Sequence, residues 1–319
     1  MTQQAQESYF DTSTWDPRDV LSGGSRMVPI STPTGEVRVW TRRTGTNDDL
    51  KVLLLHGGPG ATSEQWEGVD THFPAAGIEY YHYDQLGSHR SDQPDDDSLW
   101  EVDRFVDEVE QVRRALGLSR DNFVLMGQSW GGILAIEYAL AHQQELKGLV
   151  ISNMMSSAPA YDAYARDVLM PAMDPDVLAE ILSYEERDDT DNPRYMELLL
   201  EHHYVHHVCR LPVEDWPEPM TRMFGHLNQT VYVQMQGPSE LGIRGTLETW
   251  DRSKDLKKID VPTLVIGATH DTMDPKHMEW MAEQLPKGRF LLCPNGSHCA
   301  QYDDPEHYYP GVINFLSSL

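Results

Sequence analysis

The chain has 319 residues, 39% hydrophobic and 24% charged, with 51 acidic against 25 basic side chains and a formal net charge of −26. This is the composition of a globular protein with ample core material, and so large a negative excess excludes nucleic acid and anionic membrane surfaces as partners. No apolar run approaches the ~20 residues that a bilayer-spanning helix needs, and three cysteines (Cys209, Cys293, Cys299) are too few and too unevenly placed for a disulfide framework.

The opening MTQQAQESYFDTSTWD has neither a basic n-region nor an apolar h-region, which predicts a cytoplasmic protein with reduced thiols. EVRVWTR (36–42) alternates as an early strand, and KVLLLH (51–56) is a near-continuous apolar strand running into HGGPG (56–60). IEYYHYD (78–84) is the next strand, RFVDEVEQVRRALG (104–117) has helical spacing, and NFVLMG (122–127) leads through GQSWGG into the helix ILAIEYALAHQQ (133–144). KGLVIS (147–152) comes next as a strand. From about 154 to 235 the rhythm breaks: the stretch is rich in Met, Tyr, His, Asp and Pro and has helical spacing without a convincing strand. PTLVIG (262–267), the helix HMEWMAEQL (277–285), RFLLCP (289–294) and a C-terminal helix then resume it. Apolar strands alternating with helices predict a mostly parallel central sheet with helices on both faces. The organisation expected is a core in two parts, 1–153 and 236–319, interrupted by a helical cap at 154–235.

Ser129 lies in G-x-S-x-G, between Gly127 and Gly131. That spacing suits a sharp strand–nucleophile–helix elbow, where a flanking side chain would strike the neighbouring strand and helix. A serine nucleophile needs a base and a group that orients the base. On a parallel sheet these lie past strand C-terminal ends in the order Ser, Asp or Glu, His. PTLVIG is followed by ATHDTMDP, offering Asp271 and Asp274; RFLLCP is followed by NGSHC, offering His298. Asp274 precedes Pro275 and reads as a helix N-cap, which leaves Asp271. His270 and His277 follow no final strand, so His298 is preferred as base. For an oxyanion hole, one donor is the backbone N–H of Trp130, directly after the serine. The other comes from HGGPG, with Gly58 preferred and Gly57 the alternative.

HGGPG, GQSWGG, DQLGSHRS (84–91), MQGPSELGIRGTLETWD (235–251) and the closing GSH together resemble the proline iminopeptidase (prolyl aminopeptidase) family of α/β-hydrolases, over nearly the whole chain from about residue 25. The resemblance implies an α/β-hydrolase fold with an inserted helical cap, working without a cofactor. It implies release of an N-terminal residue, proline preferred, from a small peptide or amino acid amide. It carries the family's triad onto Ser129, Asp271 and His298, and its amine-binding glutamate onto Glu240 in QGPSE. Two positions depart from the family pattern. Leu86 and His89 stand where many relatives have Arg and Gly, and Thr272 stands where some carry a second amine-binding glutamate. The rival readings are an amino acid amidase or small-molecule esterase with the same triad, or a hydrolase-like binding protein without turnover. HHYVHH (202–207) pairs His202 with His206 and His203 with His207 at helical spacing, but no Glu or Cys completes a ligand set, so no metal is expected. Oligomeric state has no sequence signal.

Overall fold

The computed structural model describes residues 24–319; the opening segment, with its reading as leaderless, lies outside the described residues. Eight strands form one sheet: β1 (Ser25–Thr32), β2 (Gly35–Thr44), β3 (Lys51–Leu55), β4 (Glu79–Asp84), β5 (Phe123–Gln128), β6 (Gly148–Ser152), β7 (Thr263–Ala268) and β8 (Gly288–Cys293). Their spatial order is β1-β2-β4-β3-β5-β6-β7-β8. The β1–β2 and β2–β4 pairs are antiparallel and the others parallel, with Leu53 opposite both Tyr81 and Leu125.

Every residue of β4, β5, β6 and β7 is buried, as strands covered on both faces must be, which is why they read as near-continuous apolar runs. On one face, α1 (Val102–Ala115), α2 (Trp130–His142) and α8 (Pro275–Gln284) pack on Leu53, Leu55 and Val265. On the other, the 3-10 helix Ser63–Thr71 and α9 (Pro305–Ser317) pack on Val52, Leu54 and Ile266 through Trp66, Val69, Tyr308 and Val312. Alternate residues of each strand thus serve opposite cores. β1 is the strand that the sequence pattern hides. SRMVPIST carries a proline at Pro29, and the sheet tolerates it because β1 is an edge strand joined to β2 by a tight turn, with Thr32 opposite Gly35.

Between β6 and β7 the described chain is helical, with α3 (Ala158–Tyr164), α4 (Pro175–Glu186), α5 (Pro193–Leu199), α6 (Glu218–Gly225) and α7 (Gln229–Met235). These helices bury a cluster of their own, including Ile181, Tyr195, Leu198, Met220 and Leu241, which meets the sheet body at Ala61 and Cys299. α5 runs on through a π-helical turn, Leu200–Tyr204. An ionic junction centred on buried Glu64 ties α6 to the body: Arg222 reaches Glu64 at 2.6 Å and Glu67 at 2.7 Å, and Glu64 also takes His226 at 2.8 Å and Arg90 at 3.2 Å. No described helix is long and apolar enough to cross a membrane. Because β3, β5, β6, β7 and β8 are parallel, the segments after their C-terminal ends collect along one side of the sheet.

Candidate active site

Ser129 follows β5 directly, with φ 58° and ψ −127°, a backbone conformation that non-glycine residues avoid. The neighbouring glycines are sterically required. A Cβ on Gly127 would lie 1.9 Å from the Gly131 carbonyl oxygen, and one on Gly131 would lie 2.3 Å from the Leu55 carbonyl oxygen. The elbow expected from G-x-S-x-G is present, and it lifts Ser129 off the strand end into a cavity.

Asp271 and His298, from the loops after β7 and β8, pair with each other, and His298 lines the same cavity as Ser129. His298 Nδ1 donates to Asp271 Oδ1 at 2.8 Å, and both side chains are buried. Asp271 is held in turn by Asn153, whose Nδ2 donates to Oδ2 at 2.7 Å, and by the Met273 backbone N–H at 3.2 Å. Asp274 is not part of this set; it caps α8, accepting from the Lys276 N–H. His277 points elsewhere, its Nε2 3.0 Å from Ser156 Oγ. Burial alone would pull the His298 pKa down. The charge of Asp271 and its hydrogen bond, then the charges of Glu240 and Asp303, outweigh burial and leave it above the ordinary 6.5.

The HGGPG loop follows β3, and a hydrogen-bond chain separates its two candidate donors. The Gly57 N–H is occupied, donating to Gln65 Oε1 at 2.8 Å. Gln65 Nε2 passes the chain to Gln128 Oε1 at 3.0 Å, and Gln128 Nε2 donates to the His298 carbonyl at 2.9 Å. The Gly58 N–H has no backbone acceptor among the described residues, and Trp130, as the first residue of α2, has an N–H that no earlier turn can accept. The Trp130 indole is anchored on Gln85 Oε1 at 2.8 Å.

Glu240 faces the same cavity, half-buried. The Tyr232 hydroxyl donates to its Oε1 at 2.6 Å, the Tyr161 hydroxyl donates to its carbonyl at 2.7 Å, and its N–H reaches the Tyr204 hydroxyl at 3.3 Å. Burial, then the charge of Glu240, push the Tyr232 phenol well above its ordinary pKa, so it remains a donor. The cavity has a volume of about 370 Å³ and is lined by Gly57, Gly58, Ser129, Glu240 and His298 together with apolar side chains of the inserted helices. Thr272 is not aimed at an amine site; its hydroxyl lies 3.3 Å from both Asp271 Oδ1 and His298 Nδ1. A serine, an imidazole hydrogen-bonded to a buried carboxylate, and a glutamate thus gather around one cavity, a set of groups that can serve acyl transfer.

Several of these contacts have no counterpart in the sequence motifs. Asn153 has a signal, since it comes directly after β6 as Ser129 does after β5; Gln65, Tyr204 and Tyr232 have none. Of the histidines of HHYVHH, His203 directs Nε2 to the Glu240 carbonyl at 3.3 Å, and His207 directs Nδ1 to the His270 carbonyl at 2.9 Å. Among the described residues, the donor atoms of Glu64, His89 and His226 come within 4.8 Å of one another. The two imidazoles are stacked, 3.7 Å apart and 9° from parallel. Their in-plane lone pairs cannot point at one ion, and Glu64 is already taken by two arginines.

Fold and site define an α/β-hydrolase, and the alpha/beta hydrolase fold family matches residues 51–305. The chain is 55% identical over 293 residues to a proline iminopeptidase of Flavobacterium johnsoniae, covering 92% of this chain and 98% of that one. It is 54% identical to that of Elizabethkingia meningoseptica, with the same coverage. Among solved structures, the proline iminopeptidase of Mycobacterium smegmatis superposes with a TM-score of 0.78 at 30% identity, over 92% of this chain and 98% of that one. The chain belongs to the proline iminopeptidase family of α/β-hydrolases, and it is an enzyme.

Proposed function

We propose that the enzyme releases the N-terminal residue, proline preferred, from short peptides or amino acid amides by a Ser129 acyl-enzyme route. The observation that carries this reading is the set of groups around one cavity: Ser129, the His298–Asp271 pair and the carboxylate of Glu240. The names borne by relatives at 55% and 54% identity support it. Glu240 pairs with the substrate ammonium and fixes its distance from the scissile carbonyl. With Nδ1 committed to Asp271, Nε2 of His298 takes the Ser129 proton as Oγ attacks. The Gly58 and Trp130 N–H groups receive the oxyanion. The C–N bond then breaks, and the proton passes from His298 to the leaving amine. Water attacks the acyl ester with His298 again as base, which frees the amino acid and restores the serine. Residues 154–235 act as a cap that closes the cavity over the strand ends.

The test compares rates on proline β-naphthylamide, its N-acetylated form and a short-chain p-nitrophenyl ester. Cleavage of the free amine with loss of activity on acetylation is the expected result. Preference for the ester, or indifference to acetylation, would assign an esterase or broad amidase with the same triad.

The raised pKa of His298 gives a second expectation. A general base must be neutral, so activity is present above the folded-state pKa and is lost as pH falls through it. With a neutral ester, which has no ammonium to titrate, the acid limb of kcat/KM should inflect above 6.5. Asp271→Asn removes the group that raises the pKa, so the inflection should move down while kcat falls by roughly 10³- to 10⁴-fold. A wild-type inflection at or below 6.5, or one unmoved by the substitution, would count against the pair.

A further inference from the structure

Much of the cavity wall is apolar. Met196, Leu200, Val213, Trp216, Met220 and Phe224 line it from the inserted helices. Two of these, Met196 and Val213, are each 42% exposed, so the apolar lining continues to a mouth open to water. Among the described residues, no arginine or lysine lines the cavity. Arg222 lies between lining residues Thr221 and Met223, but its guanidinium is held by Glu64, Glu67 and Glu218 at 2.6–2.7 Å. Arg210 directs Nη1 to the Asn295 carbonyl at 2.9 Å. The charged carboxylate that lines the cavity, Glu240, and the chain's net charge of −26 both oppose a second anion there.

The amine anchor and Ser129 together fix the first residue of a substrate, and the apolar lining that reaches the mouth is available to the group beyond the scissile bond. In a free dipeptide, that group ends in a carboxylate. Placed here, the carboxylate would lose its hydration without gaining a cation, and burying an unpaired charge is strongly unfavourable. An amide, an arylamide or a longer peptide whose terminus lies outside the mouth meets no such penalty, and it gains apolar contact.

We propose that this apolar lining is a leaving-group subsite for uncharged, apolar amines, which makes the enzyme discriminate against free dipeptides. This rests on Ser129 as nucleophile and Glu240 as amine anchor. The experiment compares kcat/KM for prolyl-phenylalaninamide and prolyl-phenylalanine, which differ only in ending in a neutral carboxamide or a charged carboxylate, with proline β-naphthylamide as reference. The amide should exceed the acid by at least about tenfold, the ratio that 1.4 kcal/mol produces. Val213→Lys puts a cation at the exposed rim and should narrow that ratio at least about threefold by speeding the acid, whereas Val213→Gln should leave the ratio as it was. Equal rates on acid and amide, or a ratio that Val213→Lys does not move, would overturn the subsite while the aminopeptidase reading stood. Failure to cleave any of the three prolyl substrates would overturn that reading instead.

Discussion

Ser129→Ala is expected to lower kcat by about 10⁴- to 10⁶-fold on every substrate, amide or ester, without changing the unfolding midpoint in urea. The size reflects the loss of the nucleophile: once the attacking oxygen is gone, the oxyanion donors and substrate binding leave only a residual acceleration over water. The neutrality toward stability has a geometric cause. Alanine keeps the backbone that the elbow imposes at φ 58°, and the space that Gly127 and Gly131 leave open is needed equally by either residue. The Ser129 hydroxyl makes no hydrogen bond to a described residue on which the fold depends. A variant retaining more than about 1% of kcat would remove Ser129 from the chemistry. A large drop in the urea midpoint would make lost folding, and not lost chemistry, the cause.

How much of the fold and site is legible in the sequence depends on the range of each interaction. The elbow is readable because its steric need is local: the glycines at positions 127 and 131 are both within two residues of the serine, and each is forced by a contact closer than 2.5 Å. Asp274 is readable as a cap from its neighbour Pro275, and in the structure it caps α8. The central strands are readable because burial on both faces leaves an unbroken apolar run. β1 is not, since Pro29 argues against a strand until the edge position is known. Sequence ranks Gly58 ahead of Gly57 but does not show why Gly57 is engaged, because the residue that occupies the Gly57 N–H is Gln65, on a 3-10 helix that no sequence pattern announces. HHYVHH has the spacing of two α-helical pairs, but part of it lies in a π turn, and that depends on how α5 packs. Tyr232 and Tyr204 reach Glu240 from elsewhere in the inserted helices, and no local pattern marks such contacts.

The same long-range contacts decide what should happen at Glu240. Glu240→Gln is expected to lower kcat/KM for proline β-naphthylamide by about 10²- to 10³-fold, while hydrolysis of a neutral p-nitrophenyl ester changes by less than about threefold. Glutamine keeps the length of the side chain and an oxygen that can accept from the Tyr232 hydroxyl, now 2.6 Å from the carboxylate. The Tyr161 and Tyr204 contacts involve only the Glu240 backbone, so they survive as well. The substitution removes the charge alone. A substrate ammonium entering this cavity would then be desolvated without a counter-ion. Removing one partner of a buried, hydrogen-bonded charge pair costs about 2–5 kcal/mol, and each 1.4 kcal/mol is tenfold in rate. The neutral ester has no ammonium and feels only a small change in shape, so the effect should separate the two substrates. Equal losses on both would make Glu240 a structural support of the cavity, and no loss on either would move amine recognition to another residue.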